Sequence, residues 1–450
     1  MKKIAIAFAV FIVICVVAGV GSSCSRNVFD PDTYDSLVEI KSPVDSVDPN
    51  HTWKLSTKKF VIITVNGNVG AKKLQVLTDD PTTSKKAAVL VQNFVEEGDR
   101  FSMNVSFPTY LKNLYYALVD EAGAYTIVKA STSQRDIDFS NPIVKSQKLT
   151  YVPELYYYAF CYEQEMPEPG DYDYNDVVMH LALERMSKTL LYIHVKLAAV
   201  GADQQLAGFI RFPYTTKNDS TALITMDDID SIYTIDGKKF DVNMHGEEIT
   251  QQNSIVEDSK LLGKLLVTGK KGEPIINLFA DAHWAIGDVR ENEYGTFGRK
   301  QYNVAYGTTT TTAELQPREV IFAVRVKDPI QLSYLTLEDI DPFVIRFYGN
   351  SRREIHTYPY RKVDALFENK YVDLQNLPWA LAIPFGGFYH PLHGQNIGFR
   401  MKKDYNQGAE ILFGAYQERG HSFGEWSVNR NKCLDWYLNE YAYRSYVYVW

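Results

Sequence analysis

Turn-forming residues cut this chain at short intervals, and that punctuation constrains its fold more than any other feature. Apolar or alternating runs fall at 60–65, 73–77, 87–94, 101–107, 114–119 and 124–130. Asn66-Gly67, Asp79-Asp80-Pro81 and Glu97-Gly98-Asp99 supply turns between them. Runs this short, spaced by roughly 8–12 residues, cannot form packed helices and predict a small Ig-like β-sandwich over 53–130. Residues 131–149 read as a linker. A larger β-rich domain then occupies 150–450, at odds with any collagen-like, coiled-coil or disordered chain. Its first strand alternates Tyr156, Tyr158, Phe160 and Tyr162 with Tyr157, Ala159 and Cys161. Further strands are predicted at 177–183, 190–198, 209–212, 261–267, 320–326 and 343–348. The threonine run 308–312 reads as a loop, and the one convincing amphipathic helix lies near 433–441. The fold class is mainly β.

The N-terminus addresses the compartment. Lys2-Lys3 precede an uncharged stretch from Ile4 to Gly21, followed by Ser22-Ser23-Cys24. A cationic head, an apolar core and small residues before a break describe a signal peptide, here 1–23. The stretch is nearly long enough for an uncleaved anchor. Cys24 directly after small residues decides for the lipobox of bacterial lipoproteins, although Gly21 stands where that motif usually has leucine. A diacylated Cys24 would hold the chain on a lipid bilayer, each buried methylene contributing about 0.8 kcal/mol. Residues 24–52, with Asp30-Pro31-Asp32 and Ser42-Pro43, form the lipidated cysteine and a tether. The expected location is the cell envelope, at the outer membrane, on its periplasmic or surface face. In the folded part only Cys161 and Cys433 remain, and a single disulfide or two buried thiols are both open.

Composition narrows the partners. The 450 residues carry 47 Lys and Arg against 55 Asp and Glu, a net charge of −8 with no basic block, so a nucleic-acid groove is excluded. Tyrosine is over-represented at 31 copies, beside 23 Phe and 6 Trp, which suits strands and contact surfaces.

The sharpest local feature is Gly170-Asp171-Tyr172-Asp173-Tyr174-Asn175-Asp176, with Glu163, Glu165 and Glu168 shortly before it. Ca²⁺ takes six to eight oxygens in flexible geometry, and alternating Asp and Asn in a loop can aim several at one point. Asp171, Asp173, Asn175 and Asp176 are therefore the candidate Ca²⁺ ligands. The start resembles an EF-hand loop, but Asp176 takes the place of the glycine and Ala182 that of the closing glutamate. A helix–loop–helix site is thereby excluded, and a β-hairpin loop holding Ca²⁺ stands against a solvated turn whose carboxylates cap their own backbone.

The string Pro169 to Val178 is similar to the hallmark of LruC-domain proteins, exported lipoproteins of Bacteroidetes-type bacteria named after a leptospiral surface lipoprotein. Ala199-Val200-Gly201-Ala202, Gly208-Phe209, Ile276 to His283, Asp341-Pro342-Phe343, Arg353-Glu354-Ile355-His356, Leu377-Pro378-Trp379-Ala380 and Asp435-Trp436-Tyr437 follow in the family's order. Near the start, Asn27-Val28-Phe29-Asp30-Pro31 and Trp53, read as opening the first sandwich, are similar too. Pro391-Leu392-His393 departs from the family's Pro-x-Glu, and 398–420 looks like an insertion. The resemblance implies an exported β lipoprotein of no assigned activity, and its acidic string resembles Asp-rich loops thought to hold Ca²⁺ in other secreted β domains.

Other constellations are weaker. Asp281-Ala282-His283 and His390-Pro391-Leu392-His393 are the tight histidine clusters, and neither has zinc-motif spacing. Glu354 and His356 share one strand face as a structural pair would. There is no nucleophile elbow, phosphate loop or dinucleotide fingerprint. The tyrosines at 441–448 and Trp450 form either a ligand platform or a last strand over 446–450. The resulting reading is a membrane-anchored surface binding or adhesion module, Ca²⁺-stabilised and more binding protein than enzyme. Its partners are the bilayer through Cys24 and a glycan or an envelope or host protein. The alternatives are an exported hydrolase acting on glycans and a structural subunit of a surface fibre.

Overall fold

A computed structural model describes residues 42–44, 46–66, 70–165, 168, 170–212, 224–240, 264–269, 272–287, 294–295, 298–304, 312–348, 351–357, 371–398, 400–403 and 410–450. The leader, Cys24 and the tether up to residue 41 lie outside the described residues, as do 308–311 of the threonine run. Thr312, read as loop, instead begins a two-residue strand paired with Gln301–Tyr302.

The first six runs become strands: β1 (Ser56–Thr64), β2 (Ala71–Leu77), β3 (Ala88–Phe94), β4 (Arg100–Pro108), β5 (Asn113–Asp120) and β6 (Ala124–Ser131). Residues 131–149 are more structured than a linker. They supply β7 (Asp136–Asp138), parallel to β1, and β8 (Val144–Lys148), antiparallel to β6. Both are short, each with a single inward apolar residue (Ile137 and Val144), too little alternation to mark a strand, and neighbouring strands impose their extended shape. With β9 (Glu154–Leu155) they complete a three-stranded sheet, β4-β1-β7, and a six-stranded sheet, β8-β6-β5-β2-β3-β9. Val61, Ile63, Met103 and Val105 of the smaller sheet share one core with Leu74, Val76, Tyr116 and Leu118 of the larger. Gly98, at φ 80°, makes the tight turn before β4 that a side chain would strain.

The larger unit repeats the two-layer plan with longer crossovers. One sheet contains β10 (Tyr158–Tyr162), β11 (Val177–Arg185), β12 (Leu190–Ala199) and β14 (Ile229–Thr234), together with β17 (Arg318–Val326) and β20 (Ala380–Ile383), in the order β14-β17-β12-β11-β10-β20. The other contains β13 (Gln205–Arg211), β15 (Leu266–Thr268), β16 (Pro274–Phe279), β18 (Asp341–Tyr348) and β19 (Ser351–His356), ordered β15-β16-β13-β18-β19. Of the expected strand at 261–267, the described part is β15. Between the sheets Tyr158, Phe160, Met179, Ile193 and Val195 meet Leu206, Ile210, Ile276 and Val344. The other face of β10 is buried as well, because Ala159 and Cys161 belong to a second core with Phe388, Tyr416, Trp426 and Trp436. That double burial is why β10 is apolar on both faces.

Four expectations change, most of them where the C-terminal third packs. The predicted helix near 433–441 is a chain of turns, with a 3-10 turn over Asn439–Tyr441 and a short helix earlier, Phe423–Val428. Cys433 adopts φ 49°, a left-handed backbone that cannot be part of a right-handed helix. The run 446–450 forms no strand; it makes one bridge, Val447 to Pro391, because it pairs with a loop and not with a sheet edge. Cys161 and Cys433 are both free thiols, so the disulfide reading is not realised. Trp53 packs with His51, Phe423 and Trp426, in the core of the larger unit and not of the first sandwich. Among the described residues no helix is long and apolar enough to cross a membrane.

Candidate metal centre

β10 and β11 are antiparallel neighbours whose last pair is Tyr162 and Val177, so everything between must leave the sheet and return at one edge. The acidic string lies in that connection. Tyr172 and Tyr174 hold left-handed backbone, φ 55° and 52°, a conformation that costs an L-residue roughly 1–2 kcal/mol each. Their rings offset that strain. Both are buried, with Tyr172 Oη donating to Asp373 Oδ2 at 2.6 Å and Tyr174 Oη to the Pro378 carbonyl at 2.8 Å. Pinning alternate residues in this way fixes the backbone that carries Asp171, Asp173 and Asn175.

The carboxylates gather in two adjoining groups. Glu163, Glu165 and Asp176 each place an oxygen within 4.8 Å of the others, and Asp171, Asp173 and His393 do the same with oxygen and imidazole nitrogen. Asp173 Oδ1 accepts from Asn175 N at 3.0 Å and its Oδ2 from Gly394 N at 2.7 Å. The nearest nitrogen of His393 to that Oδ2 is 3.9 Å away. Asp176 Oδ2 accepts from Gln164 N at 2.6 Å, and Glu163 Oε1 accepts from Tyr174 N. Glu163 Oε2 and Glu165 Oε2 are buried and take no hydrogen bond.

Electrostatics makes this arrangement costly for the bare protein. Burial, reinforced first by the charge on Asp171, pushes the carboxyls of Glu163 and Asp173 well above the ordinary range. Burial and then Glu165 do the same to Asp176, and burial with Asp171 raises Glu165. Two carboxylates within 4.8 Å of each other at an effective dielectric near 20 repel by roughly 3 kcal/mol or more. The Arg346 guanidinium on β18 lies within reach of Glu165 and Asp176 and counters part of that repulsion. The donor set is almost entirely hard oxygen, which suits Ca²⁺ over softer ions.

Of the sequence candidates, Asp171 and Asp173 join one group and Asp176 the other, while Asn175 is fully buried with its Oδ1 unpartnered. Its Nδ2 donates to the Pro391 carbonyl at 3.0 Å, and its Oδ1 lies where a Cβ on Gly201 would stand, only 1.9 Å from that position. Glu163, Glu165 and His393 are the members outside the candidate set. The two glutamates had a signal, an i, i+2 spacing that puts both side chains on one face of extended chain. His393 had none, since its distance in sequence from Asp173 is closed only by the fold.

Of the other described histidines, His283, His390 and His356 are held by hydrogen bonds. His283 bonds Asp281 at 2.9 Å through one nitrogen and the Ala202 carbonyl at 2.9 Å through the other. His390 bonds the Asn303 carbonyl at 2.8 Å and does not join His393. His356 lies 2.8 Å from Asp341 and 3.5 Å from Glu354, in a buried network where Arg211 Nη2 reaches Asp341 at 2.8 Å.

Segments remote in sequence thus converge on one loop: Gly201 at its back, Asp373 and Pro378 under its tyrosines, and 391–394 along its rim. A family model described as a domain of unknown function, DUF4842, matches residues 189–407, a region that starts beyond the loop but supplies Gly201, Arg346, Asp373 and His393. Among solved structures, a crystal structure of a "Putative lipoprotein" from Bacteroides ovatus is similar at 13% identity and a TM-score of 0.41, over 72% of this chain and 91% of that one. The comparison with curated proteins gives no match.

Proposed function

We propose that this chain is a lipid-anchored envelope protein, of the LruC-like kind, that works as a surface binding module stabilised by Ca²⁺ at its acidic loop. The observation that carries the reading is the burial of Glu163, Asp173 and Asp176 together, with Glu163 Oε2 unpartnered. A site that serves only packing has no use for such a concentration of like charge. The anchoring half rests on the Lys2-Lys3, apolar and Cys24 sequence, and the description of the B. ovatus protein is in keeping with it.

The binding half rests on how the loop meets the C-terminal aromatics. Asn175 and Asp173 hold segment 391–394 through Pro391 and Gly394. Leu392 N in turn donates to the Tyr446 carbonyl, and Tyr448 N to the His390 carbonyl, both at 2.9 Å. Beyond these contacts Tyr443 and Trp450 are 53% and 40% exposed, with Tyr446 stacked on Tyr443 and Tyr448 against Trp450. Rigid exposed aromatics of this kind give contact area at small entropic cost, as sugar- and protein-binding surfaces require. An ion in the loop would hold the segment that carries them.

The test is a thermal melt of the mature soluble chain with Ca²⁺ or with a chelator. A native-state ion at a hundredfold excess over its Kd adds about 2.7 kcal/mol, several degrees in Tm. Identical melts in the two conditions would remove the ion from the account. Glycan-array binding that survives Tyr443→Ala and Trp450→Ala together would remove the aromatic surface.

A further inference from the structure

We propose that the cation of the acidic loop is held by Glu163, Glu165 and Asp176, in an inner pocket closed by Gly170, and not by the Asp171–Asp173–His393 rim that the sequence alternation suggests. This assignment rests on the Ca²⁺ reading above and gives it a ligand set.

Free oxygens point to the inner pocket. Glu163 is fully buried, its Oε1 is committed to Tyr174 N, and its Oε2 has no partner; Glu165 Oε2 is likewise buried and unpartnered. Asp176 is turned toward them by the Gln164 amide on its Oδ2. Backbone donors therefore fix one end of each of two carboxylates and leave oxygen capacity facing the third. The rim is less enclosed. Both oxygens of Asp173 already accept from backbone amides, Asp171 is only partly buried, and the His393 side chain is 46% exposed, too loosely held and too soft a donor to lead a Ca²⁺ sphere.

The inner oxygens lie within 4.8 Å of one another, close enough for a single cation to touch all three. Gly170 closes the pocket: a Cβ there would lie 2.4 Å from Glu163 Oε2 and 3.1 Å from Glu165 Oε2. The backbone passes against the two free oxygens because residue 170 has no side chain.

The experiment is Ca²⁺ titration of the mature chain by calorimetry, with Tb³⁺ luminescence sensitised by Tyr172 and Tyr174 as a second readout. Glu163→Gln and Glu165→Gln should each weaken Ca²⁺ by at least about a hundredfold, while Asp171→Asn, which removes only a neighbouring charge, should weaken it by about tenfold or less and His393→Ala by less than about threefold. The glutamine variants also lose a buried like charge, so without metal they should melt no lower than the parent, which separates lost binding from lost folding. Gly170→Ala, which leaves every ligand in place, should weaken Ca²⁺ as well. If the rim variants abolish binding and the glutamines keep it, the ion sits outside and this assignment fails while the Ca²⁺ reading stands. If the parent binds neither Ca²⁺ nor Tb³⁺, both fail.

Discussion

Within the first sandwich, over 56–155, the described residues bury four polar side chains, Gln75, Gln92, Asn93 and Ser106, and none is charged. Gln75 and Gln92 bond each other at 2.9 Å, Tyr125 donates to Gln75, and Gln92 Nε2 reaches the Arg185 carbonyl of the larger unit. The second sandwich buries Arg211, Glu273, Asp341, Glu354 and His356 in one network and Glu163, Asp173 and Asp176 in another. Both sandwiches are two sheets over an apolar core, so the fold does not dictate this difference. Apolar residues of similar volume would commonly be as stable as a buried ion cluster. The first sandwich is thus a packed scaffold, and the second spends stability on charge at places where a ligand or a fixed geometry is needed.

That contrast can be broken at several points. Arg211→Met removes the cation from Asp341 and Glu273 and should cost about 3–5 kcal/mol, read by urea unfolding followed through tryptophan fluorescence. Tryptophan is the right probe because 56–155 contain none. Leu74→Ala, at a fully buried site in the first core, should cost about 3 kcal/mol, and by the same amount with Ca²⁺ or chelator present. A chelator-dependent loss there would tie the scaffold to the acidic loop and end the comparison.

The pH response should also divide the two. Burial lowers His180 to about 3 and His390 to about 4, and His180 is further depressed by His390 and Lys196. Their folded pKa values lie below the unfolded 6.5, so the unfolded chain takes up the proton first. Their contribution to stability is therefore intact above about pH 6.5 and is lost as pH drops toward 4, by about 2 kcal/mol per histidine at pH 5, against an opposite contribution from the raised carboxyls of the acidic loop. His180→Phe should flatten that limb in melts between pH 7 and 5. Residues 56–155 contain no histidine and should contribute nothing to it. The smallest effect belongs to Lys72→Ala. Its pair with Glu121 at 3.2 Å is 53% and 75% exposed, and its loss should move stability by less than about 0.5 kcal/mol.

Legibility followed the range of the forces. The six strands of the first sandwich could be read because alternation and turn residues act within a few positions, and Ala71–Leu77 or Ala124–Ser131 differ from expectation by one or two residues. β7 and β8 could not, since Asp136–Asp138 and Val144–Lys148 each offer a single inward apolar residue, Ile137 and Val144, which is no periodic pattern. At the candidate centre the acidic string stood out at once. The division into two groups did not, because side-chain direction depends on Tyr172 and Tyr174 being drawn into the core by Asp373 and Pro378, 201 and 204 residues away.

By itself, the sequence determined the mainly β character, the strand breaks and the concentration of oxygen donors between β10 and β11, for these follow from short-range periodicity and composition. Tertiary structure alone decided which oxygens remain free, that Asn175 faces Gly201, and that His393 arrives beside Asp173. Those outcomes depend on contacts closed over hundreds of residues, and no local pattern encodes a distance that only the packed sheets define.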